Sequence, residues 1–199
     1  MAQVTAVNIS EKKGVRKHEV PYIDVKYRHG IVGDAHAGDW HRQISLLADE
    51  SVDTMRAICQ LELDAGIFAE NINTRGIELK TLPVGTRLRV GETELEVTQI
   101  GKECHSHCAI YHRVGECIMP REGVFAEVIK EGIIRPGDVM RVEAPDENRP
   151  FTAAVIVLSD KGSRGEREDA SGPAAEELLK EAGYDVLERF VIPDEPAVL

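Results

Sequence analysis

Up to residue 144 no apolar periodicity in this chain lasts long before a turn interrupts it, and that limits the possible folds more than any other feature. Val4 and Ala6 open one short strand, Tyr22–Val25 a second and Ile44–Leu47 a third. The clearest unit is a hairpin: Leu88 and Val90 alternate, Gly91-Glu92 turns, and Leu95 and Val97 alternate on the return. Val124–Ile129 and, after the turn Arg135-Pro-Gly-Asp138, Val139–Val142 add two more strands. One helix is expected, capped by Asp49 or Ser51 and running to about Leu63. Val52, Met55, Ile58 and Cys59 would form its buried stripe, and Asp64-Ala-Gly66 would end it. Short strands, one helix and frequent turns predict a mainly β fold, closed or nearly closed into a barrel.

The pattern changes after Ala144-Pro-Asp-Glu-Asn-Arg-Pro150, a polar stretch with two prolines. We therefore divide the chain into a β domain over 1–144, a linker over 145–151 and a further segment over 152–199. In that segment Thr152–Leu158 is a continuous apolar run, as in a strand buried on both faces. Pro173–Ala182 reads as a helix with Leu178 and Leu179 inward and Gly183 as its stop, and Asp185–Ile192 as a second strand. Strand, loop, helix, strand is a right-handed parallel unit. Two strands and one helix cannot cover their own sheet, so the segment is expected to be an incomplete α/β domain.

A formal charge of −11 argues against nucleic acid and anionic lipid as partners. No apolar stretch approaches the roughly 18 residues of a membrane helix, and Met1–Val7 lacks the layout of a signal peptide. The expected location is cytoplasmic. The basic run Lys12–Lys17 and the acidic runs Glu143–Glu147 and Glu166–Asp169 read as solvated surface.

In such a compartment cysteines are reduced. Cys59, in a helix-like apolar run, reads as a small buried hydrophobe. Cys104, Cys108 and Cys117 cluster with His105, His107 and His112 in Gly101–Cys117. Three readings stand side by side. A thiolate favoured by Lys102 and the histidines could act as sulfur acceptor, nucleophile or metal ligand. Cys104, Cys108 and a His or Cys117 could hold structural zinc. The segment could also be a polar loop with one or two buried thiols.

A second loop, Gly30–Arg42, carries glycines that allow close backbone approach, with Asp34, His36 and Arg42 as anion-binding and acid–base groups. A third, Ser159–Pro173, runs from the first parallel strand into a helix N-terminus, where α/β folds hold anions.

These residues carry two family resemblances. Gly30-Ile-Val-Gly33-Asp34-Ala-His36-Ala-Gly38, Arg42–Leu47, Phe68-Ala-Glu70-Asn71-Ile72, Gly101-Lys-Glu-Cys104, Gly115–Phe125 and the Pro136-Gly-Asp138 turn make residues 1–144 resemble the MOSC domain. This module is named for the C-terminal part of molybdenum cofactor sulfurase. The resemblance implies a β-barrel that binds molybdenum cofactor (molybdopterin) or carries sulfur as a cysteine persulfide. It points to Cys104 as that cysteine and metal ligand, with Cys108 and Cys117 as neighbouring candidates.

Residues 152–199 resemble the opening of molybdopterin adenylyltransferase, through Ala154–Asp160, Gly165 and Asp169-Ala-Ser171-Gly172-Pro173. That family's later glycine-rich segments have no counterpart here, so adenylyl transfer is not expected. Together the resemblances imply cofactor-binding positions at Gly33, Asp34, His36, Arg42, Asn71, Lys102 and His105, and at Asp160, Asp169, Ser171 and Gly172. The implied role is molybdenum cofactor biosynthesis or handling, as a sulfur transferase or as a non-catalytic delivery module. A zinc-stabilised structural domain is the remaining alternative. A cysteine desulfurase or a molybdoenzyme is the implied partner, with pyridoxal phosphate only on a separate partner protein.

Overall fold

The computed structural model describes residues 1–60, 62–102, 111, 117–143 and 151–195. The chain forms two compact units, Met1–Glu143 and Ala144–Leu199.

In the first unit β1 (Gln3–Ile9) pairs antiparallel with β2 (His18–Val20) and β6 (Ile72–Arg75). A bulge between Val4 and Ala6 resets the alternation, so Val4 and Val7 both enter the same core. Beyond β6 lie β5 (Ile44–Ala48), β9 (Val124–Lys130), β8 (Thr93–Ile100), β7 (Arg87–Val90) and β11 (Met140–Val142), giving the order β11-β7-β8-β9-β5-β6-β1-β2. The expected hairpin is β7–β8, with Leu88 opposite Leu95. The sheet curls until its far edge meets its start. Gln3 bridges Val139, the Val4 amide donates to the Asp138 carbonyl at 2.9 Å, and the Met140 amide donates to that of Ala2 at 2.9 Å. The fold is therefore barrel-like, its seam a single bridge rather than a ladder. A smaller sheet, in the order β10-β3-β4, is formed by β10 (Gly132–Ile134), β3 (Ile23–Lys26) and β4 (Gly30–Ile31).

All five residues of β5 are buried, because this strand divides two cores. Leu46 joins Val7, Val25, Ile72, Leu88 and Val97 inside the curl, whereas Leu47 packs with Val52, Met55, Phe68, Met119 and Phe125 under the helix. Each such side chain contributes about 1.5–3 kcal/mol of burial.

Helix α1 (Asp49–Cys59) crosses between the parallel strands β5 and β6. It stops short of Leu63, because Gln60 turns into the left-handed region (φ 54°) and the Arg56 guanidinium donates to the Leu63 carbonyl. Neither expected residue caps it. Asp49 lies in its first turn, and the Ser51 hydroxyl donates to Glu122 in the short helix α2 (Met119–Glu122) at 2.5 Å. Ile58 is 63% exposed, so the buried stripe is narrower than its spacing predicts.

The second unit holds β12 (Phe151–Leu158), the short helix α3 (Asp160–Ser163), α4 (Ser171–Glu181) and β13 (Tyr184–Ile192), with β12 and β13 parallel. β12 is not buried on both faces, since Ile156 is 52% exposed, and Leu178 on α4 is exposed rather than inward. A two-stranded sheet with its helices packed from one side leaves those positions without neighbours. No described helix is long and apolar enough to cross a membrane.

Gly66 ties the α1–β6 connection to the segment before β2: its carbonyl accepts the Lys17 amide at 2.9 Å. Its φ is 78°, and a Cβ there would collide with the Lys17 carbonyl. Gly66→Ala is expected to lower the unfolding free energy by roughly 2 kcal/mol or more. Gly14→Ala, at a φ of 76° with open space around it, should cost only about 1 kcal/mol. Denaturant midpoints of the two variants check the difference.

Candidate functional site

At the open end of the first unit, polar side chains are buried against one another. Lys17 and Asp34 form an ion pair at 2.5 Å, with side-chain exposures of 1% and 0%. Lys17 is thus no part of a solvated basic face. The Asp34 carboxylate also accepts the Ser10 amide (3.1 Å), the His36 amide (2.9 Å) and the Asn71 side-chain amide (3.2 Å). Burial alone would raise the Asp34 carboxyl, but the donors of His36 and Lys17 outweigh it and hold the group well below the usual carboxylate range. Burial lowers the Lys17 ammonium, opposed by Asp34.

Asn71 spans this network. Its amide also donates to the Asn8 carbonyl (3.0 Å), and its oxygen accepts from the Ser45 amide (3.1 Å) and hydroxyl (2.9 Å). Beneath it, Glu70 accepts the amides of Gly66 (2.7 Å) and Phe68 (2.9 Å) and the Asn73 side chain (3.0 Å). Burial pushes the Glu70 carboxyl up despite these donors. Ala69 bends the chain for this with a φ of 64°, a conformation that costs a non-glycine residue about 1 kcal/mol or more.

The Gly30–Arg42 loop folds over the network. The Ala35 amide donates to the Ser10 carbonyl (2.7 Å), that of Gly38 to His29 (2.6 Å), and the Trp40 indole to the His36 carbonyl (2.9 Å). A small cavity of about 80 Å³ results, its polar lining drawn from His36, Arg42, Ser45, Asn71 and Lys102. Trp40, Phe68, Met119 and Phe125 supply its apolar walls. The Arg42 guanidinium lies 4.9 Å from the Trp40 ring centre and 5.8 Å from that of Phe125. Its Nε is fully buried and has no hydrogen-bond partner among the described residues. A wider hollow of about 470 Å³ lies beside α1, and its carboxylates Glu50, Glu78 and Glu122 do not suit an anion.

Of the residues singled out in the sequence, His36, Arg42, Asn71 and Lys102 line the cavity and Asp34 lies beneath it. Gly33, exposed at a φ of 84°, makes the turn before Asp34 rather than a wall. Cys117 packs against the core under α1. Cys104, Cys108 and His105 lie outside the described residues. In the second unit the Asp169 carboxylate takes the amides of Ser171 (3.1 Å) and Gly172 (2.9 Å), and Asp160 that of Asp194 (3.1 Å). Asp169 and Ser171 border a separate hollow of about 270 Å³. Sequence reasoning missed Lys17, Ser45, Trp40 and Phe125. Ser45 sits within a quoted motif and was within reach, whereas nothing separates Lys17 from the lysines beside it.

The first unit is a barrel-like β domain with a buried ion-pair network under a small basic cavity. The family model of the MOSC domain matches residues 33–141, 109 of the chain's 199, and the chain belongs to that family. Solved structures share the fold. The YuaD protein of Bacillus subtilis has a TM-score of 0.60 at 17% identity, covering 73% of this chain and 98% of its own. YiiM of Geobacillus stearothermophilus has a TM-score of 0.58 at 16% identity, covering 93% and 94%. A molybdopterin adenylyltransferase of Pyrococcus furiosus is 46% identical over 57 residues, 29% of this chain and 32% of its own length. The chain thus spans about a third of that curated relative.

Removing one member of the ion pair strands the other. Asp34→Asn is expected to cost about 3–5 kcal/mol, read by denaturant unfolding at neutral pH. The folded pKa of Asp34 is depressed, so its contribution is complete above the unfolded carboxylate value near pH 4 and fades as pH falls further. The acid limb of a stability–pH curve should therefore flatten in the Asn variant.

Proposed function

We propose that the protein binds molybdenum cofactor or carries its sulfur, with Cys104 as the sulfur-bearing or metal-ligating group and the small cavity as the anion-binding part of the site. The observation that carries this reading is Arg42, whose buried Nε has no partner among the described residues and whose side chain lines a cavity together with Lys102, two residues before Cys104.

The donor set fits the group. Guanidinium, ammonium and imidazole suit the oxygens of a pterin phosphate or of molybdate. Arg42 lies over the rings of Trp40 and Phe125, contacts that restrict its direction. His36 and Lys102 complete the donor lining, and Ser45 and Asn71 position one another behind it. When bound, the cofactor supplies a metal centre for oxygen or sulfur chemistry. The chain's own part is to hold the anion, exclude water with Trp40, Met119 and Phe125, and present the thiol. In the sulfur-carrying form, the Cys104 thiolate attacks the outer sulfur of a donor persulfide; the donor leaves as a thiolate and Cys104 becomes the persulfide. A cysteine desulfurase, with its own pyridoxal phosphate, is the fitting donor. The family match and the molybdopterin-related relative support the same theme.

Two measurements test the reading. Peptide mass spectrometry of protein exposed to a persulfide donor should place the added sulfur on Cys104. Cys104→Ser should abolish the label while Cys108→Ser and Cys117→Ser keep it; a label that moves with Cys108 would reassign the role. Arg42→Ala should weaken binding of inorganic molybdate or phosphate about tenfold or more by calorimetry, the worth of a charge-assisted hydrogen bond. Unchanged affinity would remove the cavity from the site.

A further inference from the structure

We infer that Lys17 is a positioning residue that fixes the ring of His36 as the tautomer protonated on Nε2, so that His36 is a hydrogen-bond donor toward the cavity. The inference rests on the anion-binding reading of that cavity but is tested apart from it.

His36 Nδ1 lies 3.3 Å from the Lys17 ammonium and 3.3 Å from Asp34 Oδ1. A lone pair on Nδ1 accepts from Lys17, whereas a proton there could go only to Asp34. The balance of donors and acceptors decides between them. Lys17 has three N–H groups and a side chain that is 1% exposed, so water cannot satisfy them. Among the described residues its acceptors are Asp34 Oδ2 and His36 Nδ1. Protonating Nδ1 would leave one acceptor for three hydrogens and set an N–H dipole against a buried ammonium.

Asp34 is better supplied. Its Oδ2 receives the Ser10 amide, the Asn71 side chain and Lys17, and its Oδ1 the His36 amide. A proton from Nδ1 would add a fifth donor to Asp34, whereas Lys17 would lose one of its two acceptors. With Nδ1 engaged as acceptor, the neutral ring carries its hydrogen on Nε2. Nε2 has no partner among the described residues, and the half-buried ring lines the cavity. Neither sequence motif nor net charge points to Lys17, since its role depends on burial.

Long-range proton–nitrogen correlation spectra of the ligand-free full chain, labelled at histidine, read the tautomer directly. His36 should show a pyridine-type Nδ1 and a pyrrole-type Nε2; the reverse assignment overturns the inference. In Lys17→Met the Nδ1 signal should move toward the protonated type, with Asp34 as its new acceptor. An unmoved Nδ1 in a folded variant would show that Lys17 is not the determinant. Should that variant fail to fold, the wild-type nitrogen shifts decide alone.

A second arm reads the consequence. The Gln amide reaches the Nε2 position and the Asn amide the Nδ1 position. His36→Gln should thus keep affinity for inorganic phosphate within about threefold, and His36→Asn should lose about tenfold. Equal losses in the two would overturn the donor role. No phosphate binding by the wild-type protein would count against the cavity reading instead, leaving the tautomer result to stand or fall by itself.

Discussion

Taking an ammonium and a carboxylate out of water costs several kcal/mol for each ion, and the attraction between them recovers this only when further hydrogen bonds satisfy both. Lys17 and Asp34 meet that condition because several segments converge on them. The end of β1 gives the Ser10 amide, the glycine loop gives His36, and the start of β6 gives Asn71. The Lys17 backbone is held in turn by Gly66. Each of these segments is irregular and could not hold its course through strand pairing alone. The ion pair is what brings loops distant in sequence to one place, and the cavity exists because they meet there.

The same economy governs the floor of the site. Glu70 does the work of a turn, collecting amides from Gly66 and Phe68 that would otherwise be buried without partners. Its side chain is reached by Asn73, whose oxygen accepts from Asn8 at 2.8 Å. A chain of amide and carboxylate groups therefore runs from β6 to β1 beneath the ion pair. Such a network specifies geometry more than it adds stability, because a half-satisfied version is worse than an apolar core. Ala69 adopts its left-handed φ within that setting, and the carbonyl it presents accepts from Ser45 at 3.3 Å.

What was legible in the sequence follows from how local each cause is. The β7–β8 hairpin is written in alternation and a glycine turn, both read over a few residues, and it stands as expected. The mainly β class follows from the same punctuation. The end of α1 was not legible, because it depends on Arg56 reaching the Leu63 carbonyl, a contact between side chain and later backbone. Asp34 and His36 could be selected by type within a glycine-rich loop, and Asn71 through the family resemblance. Lys17 could not, since a lysine in a basic run looks solvated until its neighbours remove the water. Leu178 failed for the converse reason: its helical spacing is apolar, but no layer of described residues covers it.

The charge distribution bears on how such a site must recognise an anion. The chain carries 35 acidic against 24 basic side chains, so its summed field opposes an approaching oxyanion. Attraction must come from donors at contact range, inside a cavity whose walls exclude water and weaken screening. Arg42 is suited to this, since guanidinium is weakly hydrated and stacks on aromatic faces without losing its hydrogen-bonding edge. Its Nε is already out of water, so binding at its outer edge adds little further desolvation. Affinity built that way depends on shape and on the orientation of a few groups, which is why a buried lysine that sets the direction of one imidazole can matter as much as the residues that touch the ligand.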